Sequence, residues 1–197
     1  KWDDGCLTHD ANVVINECAG ILQYCQECFE GLKAYTTEDG SIVTFRPDLN
    51  AERMMDSAAR LEMPQFPKER FLAAVDAVVK ANAEWVPPYG SGATFYLRPY
   101  MFASGPVIGV KPSDEYQFRI FGTPVGPYFK GGVKPLTLCV SDFDRAAPHG
   151  TGHIKAGLNY AMSLHAHSVA HWAGYDENMF LDPATRTYVE ETGGANF

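Results

Sequence analysis

No apolar run in this chain reaches the roughly 18 residues that a membrane-spanning helix needs. No Lys/Arg-rich run stands out either. Basic residues are outnumbered, 16 Lys plus Arg against 24 Asp plus Glu, for a formal charge of −8. Such a chain has no electrostatic reason to sit on nucleic acid or on an anionic membrane surface. Cysteine is scarce: Cys6, Cys18, Cys25, Cys28 and Cys139. An odd number at low density argues against a secreted disulfide scaffold, so reduced thiols in the cytoplasm are the expectation. The opening Lys-Trp-Asp-Asp-Gly is neither a signal nor a transit peptide. It lacks an initiator Met, so the chain is expected to begin inside a longer protein.

What is present is ordinary for a globular protein. The 197 residues are 46% apolar and 20% charged, enough for one large domain or two small ones. Asn12–Asn16 and Gly20–Tyr24 read as short strands, and Ser41–Arg46 as another entered by the turn Glu38-Asp39-Gly40. Pro47 opens a helix with a stripe at Leu49, Met54, Met55, Ala58 and Leu61, stopped by Pro64. A second helix is expected from about Pro67 to Val86, burying Phe71, Leu72, Val75, Val78, Val79 and Trp85. Thr94–Met101 alternates with period two. Phe95, Leu97 and Met101 face a core, while Tyr96, Arg98 and Tyr100 face the other way, as a site wall or as an exposed strand face.

Glu115–Phe121 reads as a further strand. The Gly/Pro-rich stretch that follows is the best candidate for a connection between domains. Leu136–Val140 then starts a new strand. A Gly/His-rich loop feeds a helix from about Gly157 to Trp172, and Asn178–Asp182 with Thr187–Glu191 looks like a hairpin.

Most of the chemistry-bearing motifs have plain readings. Cys25-Gln-Glu-Cys28 has redox-like or zinc-like spacing. It sits in a strand passing into a Phe-Glu-Gly turn, with no second ligand pair, so buried structural cysteines are the better reading. His165, His167 and His171 share a helix without the following carboxylate of a metal site, so solvated or packed histidines are expected and no metal. Gly150-Thr-Gly152 is not a dinucleotide fingerprint. Lys155 is the most suggestive lysine. It lies between glycines, beside Ile154 and Ala156, at the mouth of a helix. Apolar surroundings destabilise an ammonium and free the amine to attack a carbonyl, as a Schiff-base lysine must. On local features alone a surface lysine fits as well.

Several motifs in order carry more. Cys28-Phe-Glu-Gly-Leu-Lys-Ala-Tyr35, Phe45-Arg-Pro-Asp-Leu-Asn-Ala-Glu-Arg-Met54 and Tyr96-Leu-Arg-Pro99 occupy the first half. Pro124-Val-Gly-Pro-Tyr-Phe-Lys-Gly-Gly132, Lys155-Ala-Gly-Leu-Asn-Tyr160 and Glu191-Thr-Gly-Gly-Ala-Asn-Phe197 follow. Together they resemble the branched-chain-amino-acid aminotransferases, pyridoxal-phosphate enzymes of fold type IV. The resemblance runs along essentially the whole chain.

The resemblance implies an α+β protein of two domains. Residues 1–123 would form a small α/β domain, 124–135 a connection, and 136–197 the first part of a larger α/β-barrel-like, cofactor-binding domain. That family's large domain continues beyond Phe197, so an incomplete cofactor site is expected here. Lys155 would hold pyridoxal 5'-phosphate as a Schiff base and shuttle a proton. Arg53 would bind its phosphate, Tyr160 its phenolic oxygen and Glu191 its ring nitrogen. Read without the family, Glu191 is a solvated strand-end acid. Tyr24, Phe29, Tyr96, Arg98 and Tyr128 match substrate-pocket positions for Leu, Ile and Val, with glutamate and 2-oxo acids as the other substrates. Ile108-Gly109-Val110 resembles a loop that reaches a partner subunit, which implies a homodimer or higher homo-oligomer. A D-amino-acid transaminase, an aminodeoxychorismate lyase or a non-catalytic fragment are the alternatives. The first two would be expected to lack the Tyr24/Phe29 and Tyr96/Arg98 combination.

Overall fold

The computed structural model describes residues 1–127 and 134–195. The chain divides into two compact units, Lys1–Tyr128 and Phe129–Phe197.

The first unit is built on one long strand, β4 in chain order. Before it come helix α1 (Gly20–Tyr24), strands β1 (Glu27–Phe29), β2 (Leu32–Thr36) and β3 (Ile42–Thr44), and helices α2 (Pro47–Arg60) and α3 (Lys68–Ala81). Strand β4 runs from Thr94 to Ala103 and pairs along its whole length with antiparallel β5 (Tyr116–Val125). Its other edge carries β1 and β2 in one unbroken register, Glu27↔Phe102 through Phe29↔Tyr100, then Leu32↔Leu97 through Ala34↔Phe95.

The sheet ladder lapses only at Glu30 and Gly31, opposite Pro99 and Arg98. Proline has no N–H to give, so half of the exchange at that position is missing. The other half survives: the Glu30 N–H donates to the Pro99 carbonyl at 2.7 Å. Phe29-Glu30-Gly31 is therefore extended chain, where a turn was expected.

Period-two alternation assigns the faces. Cys28, Glu30, Leu32 and Ala34 are buried along the β1–β2 edge, and Phe95, Leu97, Pro99 and Met101 on β4. Met54, Ala58, Phe71 and Val75 from the two helices complete this core. Tyr96, Arg98 and Tyr100 lie on the opposite face, half-buried, as their alternation predicts.

Three expectations fail here. Gly20–Tyr24 is a single helical turn, not a strand. A five-residue run is too short for its period to decide, and Gly20 instead packs against Ala103 while its N–H bonds the Gly105 carbonyl. Asn12–Asn16 forms no regular element and finds no strand partner among the described residues. Helix α3 stops at Ala81, and a 3-10 turn at Ala83–Trp85 turns Trp85 out to 60% exposure. The fourth difference is one of length: β5 continues past Phe121 to Val125.

Cys28 is fully buried, whereas Cys25, in left-handed backbone, is exposed, and both are free thiols. Burial, with Glu27 and Glu30 nearby, pushes the Cys28 thiol up from 9.0 to about 12. A raised pKa favours the neutral form in the folded state. That stabilisation is complete below pH 9 and is lost as pH climbs toward about 12. With an aromatic disulfide reagent near pH 8, Cys25 and Cys6 should react rapidly. Cys28 should react only at the rate of unfolding.

The second unit is a parallel pair, β6 (Leu138–Val140) with β7 (Glu177–Leu181), joined through helix α4 (Gly157–Trp172). Strand β8 (Val189–Thr192) adds antiparallel to β7, as the hairpin pattern predicts. Asp182 closes the β7–β8 loop by accepting the backbone N–H groups of Thr185, Thr187 and Tyr188. Those donors hold its carboxyl well below the usual range. The β7–β8 register shifts between Phe180 and Leu181, so Glu190 is left without an opposite residue.

Candidate active site

In the first unit Phe29, Tyr96 and Arg98 come together on the non-core face. Arg98 donates from Nε (3.2 Å) and Nη2 (2.8 Å) to the Tyr96 hydroxyl. Its guanidinium carbon lies 4.5 Å from the Phe29 ring centre, a cation–π distance. Gly31 makes room for this. A Cβ there would sit 2.4 Å from the Tyr96 hydroxyl oxygen. The cluster offers a fixed cation bounded by aromatic rings, suited to a small carboxylate with an apolar tail. Tyr24, on α1, donates its hydroxyl to the Ile108 carbonyl and so ties down the loop that carries exposed Ile108 and Val110. Tyr128 lies outside the described residues.

Arg53 sits on α2 against a residue that sequence reasoning missed. Glu30 is completely buried, and it accepts Arg53 Nε at 2.7 Å and Nη2 at 2.7 Å, one on each oxygen. Asn50 Nδ2 donates to the same carboxylate at 2.8 Å. Glu30 is the one charged member of the inward stripe from Cys28 to Ala34, a stripe that exists only once the segment is paired with β4.

In the second unit Lys155 lies between buried Ile154 and Ala156, just before α4. One turn on, Tyr160 brings its hydroxyl back, and Lys155 Nζ donates to it at 2.6 Å. Asn159 fixes the loop that presents the lysine. Its buried amide donates to the carbonyls of Thr151 (2.7 Å) and Ile154 (2.8 Å) and accepts from the Thr151 hydroxyl (2.9 Å). Arg145, only 8% exposed, donates to the Asn159 carbonyl at 2.8 Å, and its guanidinium carbon lies 5.6 Å from the Tyr160 ring centre. Its Nε is 3.1 Å from Glu191 Oε2, an ion contact in which the N–H is not aimed at the carboxylate. Arg145 thus links Tyr160 to Glu191, and neither Arg145 nor Asn159 was singled out from sequence.

A cavity of about 530 Å³ is lined by Arg145, His153, Glu190 and Glu191 with the small residues of the 146–152 loop. Both neighbouring acids reach it because of the strand irregularity at Glu190. Burial, then the charge of Glu191, raises the Glu190 carboxyl. Lys155 and Tyr160 are not in that lining. The helix histidines do not gather into a site. His167 meets Glu177 at 3.0 Å and His165 stands edge-on to Phe143. Among the described residues no group of three His, Cys, Asp or Glu is placed to hold a metal, and no helix is long and apolar enough to cross a membrane.

The family model described as Amino-transferase class IV matches residues 27–197. The chain belongs to that family. It is 53% identical over 202 residues to the branched-chain-amino-acid aminotransferase of Haemophilus influenzae, covering 100% of this chain and 59% of that protein. Its fold is that of fold-type-IV branched-chain aminotransferases. The branched-chain aminotransferase of the archaeon Thermoproteus uzoniensis, solved with norvaline, superposes with a TM-score of 0.79 at 27% identity, over 98% of this chain and 62% of that one. The branched-chain aminotransferase of Escherichia coli gives 0.72 at 27% identity, over 94% and 57%. A further branched-chain aminotransferase structure, at 28% identity, holds pyridoxamine 5'-phosphate, the aminated form of the cofactor. The chain thus spans about three-fifths of the lengths of these relatives.

Proposed function

We propose that the protein is a pyridoxal-phosphate-dependent transaminase that moves the amino group of Leu, Ile or Val to 2-oxoglutarate, yielding glutamate and a branched 2-oxo acid. The Lys155–Tyr160 contact, in a chain so similar to branched-chain aminotransferases, carries this reading. The donor set suits the cofactor. It comprises a primary amine hydrogen-bonded to a phenol, a carboxylate beside a buried guanidinium, and a second guanidinium held by a buried acid. When bound, pyridoxal phosphate supplies an electron-poor ring that accepts the electron pair left at Cα when its proton departs.

The chain's own residues do the rest. Lys155 would hold the cofactor through its amine and, when that amine is free, would carry the Cα proton. Tyr160 orients that amine and would hydrogen-bond the ring oxygen. Glu191, beside Arg145, would pair with the ring nitrogen and favour its protonated form. Arg53 binds the phosphate, for which a guanidinium's charge-assisted fork is suited. Arg98 and the hydroxyls of Tyr96 and Tyr128 would receive the substrate carboxylate, and Phe29 with the tyrosine rings, Tyr24 among them, would receive the side chain. The Ile108–Val110 loop serves a second copy, so the working form is a homodimer or higher oligomer. Five free thiols suit a reducing compartment such as the cytoplasm. The proposed small domain of residues 1–123 takes in Pro124 and Val125 as well, because both belong to β5; the connection follows to residue 135, and the remainder belongs to the cofactor-binding domain.

The test is a spectrum and an assay. Protein incubated with pyridoxal phosphate gains a visible absorption band and transaminates L-leucine with 2-oxoglutarate. Turnover of D-alanine in place of L-leucine would point to the D-amino-acid reading. Release of an aromatic amine from aminodeoxychorismate would point to the lyase. Neither a band nor turnover would leave a non-catalytic protein.

Gly31→Ala probes the substrate wall separately. The added methyl displaces the Tyr96 hydroxyl and so removes the partner of Arg98. Losing one such charge-assisted hydrogen bond should raise KM for leucine about tenfold. The visible band should stay unchanged, and titration of the band alongside steady-state kinetics checks both.

A further inference from the structure

We propose that Glu30 is a positioning residue, whose buried carboxylate fixes the plane of the Arg53 guanidinium so that Arg53 meets the cofactor phosphate in one orientation. The inference rests on the reading of Arg53 as the phosphate ligand.

Taking a carboxylate wholly out of water is costly, and a buried ion pair is weak grounds for a gain in stability. Yet Glu30 occupies a position where its neighbours in the stripe, Cys28, Leu32 and Ala34, are apolar and buried. Its contacts are directional. Both oxygens are used side-on by Arg53 at 2.7 Å each, and Asn50 adds a third donor at 2.8 Å. The backbone beneath is pinned to β4 through the 2.7 Å bond from the Glu30 N–H to the Pro99 carbonyl. The acid therefore cannot follow the arginine; the arginine follows the acid.

The Arg53 side chain is itself 52% exposed. A long side chain so exposed ordinarily samples several rotamers. A guanidinium is planar, so fixing its Nε and Nη2 hydrogens fixes the direction of all five N–H donors. Phosphate recognition depends on that direction as well as on charge.

The experiment compares two probes that differ only in the phosphate. Pyridoxal phosphate and phosphate-free pyridoxal are titrated separately into the intact protein, and the visible band gives each dissociation constant. Wild-type protein should bind pyridoxal phosphate more tightly. Glu30→Gln should weaken pyridoxal phosphate binding about tenfold, the worth of one misdirected charge-assisted hydrogen bond, and change pyridoxal binding less than about twofold. Glu30→Asp keeps the charge but draws the fork back by a methylene, and should show the same selective loss. It carries the test if Glu30→Gln does not fold. An equal loss for both probes, or none for either, overturns the proposal, because a merely structural role does not distinguish them. A wild-type band with no preference for the phosphorylated probe would instead remove Arg53 from its assigned role, and this inference with it. A wild-type protein with no band at all would sink the transaminase reading itself.

Discussion

On the proposed function, Lys155→Ala should remove the visible band of the cofactor-loaded protein and lower leucine transamination by about a thousandfold or more, since the covalent hold and a general acid–base group would go together. Lys155 Nζ is the amine held by the Tyr160 hydroxyl, at 2.6 Å. Its backbone neighbours Ile154 and Ala156 are buried and anchored independently, through the Asn159 amide and the start of α4. Truncating the half-buried side chain leaves those anchors in place, so the fold should survive. Unchanged far-ultraviolet circular dichroism would confirm that. A band of normal intensity in the variant would mean that another amine holds the cofactor, and Lys155 would lose its role.

Phe95→Ala destabilises the first unit by about 3–5 kcal/mol, the usual range for emptying a buried aromatic site. The ring is 1% exposed and lies across Gly122 on the neighbouring strand, where a Cβ would fall 2.4 Å from two ring carbons. Glycine there is a consequence of the ring. Gly122→Ala alone should therefore cost about 1–3 kcal/mol through overpacking. In the Phe95→Ala background the same methyl enters vacated space, so the double variant should be less destabilised than the two costs summed, with a coupling of about 1 kcal/mol or more. Urea denaturation of the four proteins measures the cycle. Strict additivity would show that the ring does not rest on Gly122. Because Phe95 alternates with Tyr96 and Arg98, loosening the strand should also raise KM for leucine.

The long elements were legible because their patterns repeat. Thr94–Met101 alternates over enough residues for its two faces to be assigned correctly. The helix after Lys155 lies at Gly157–Trp172, as its composition suggested. Short runs failed for the opposite reason. Gly20–Tyr24 holds too few residues to express a period, and its conformation was decided by Ala103 and Gly105, far along the chain. Glu30 was hidden by its setting. Phe-Glu-Gly looks like a turn locally, and only the pairing with β4 makes it an extended segment with an inward acid.

The motif order along the chain determined which family it belongs to and which lysine, tyrosine and acid to examine, because reactive groups are chosen for their functional-group chemistry, which is written in residue type. The sequence by itself also set the charge balance and the lack of a long apolar span. It could not say what holds those groups in place. That Glu30 grips Arg53, that Arg145 joins Tyr160 to Glu191 and that Asn159 pins the lysine loop are matters of tertiary structure. Each depends on a buried polar group finding a partner, from 5 to 46 residues away along the chain in these cases. Burial makes those partners obligatory, and only the folded chain specifies where they meet.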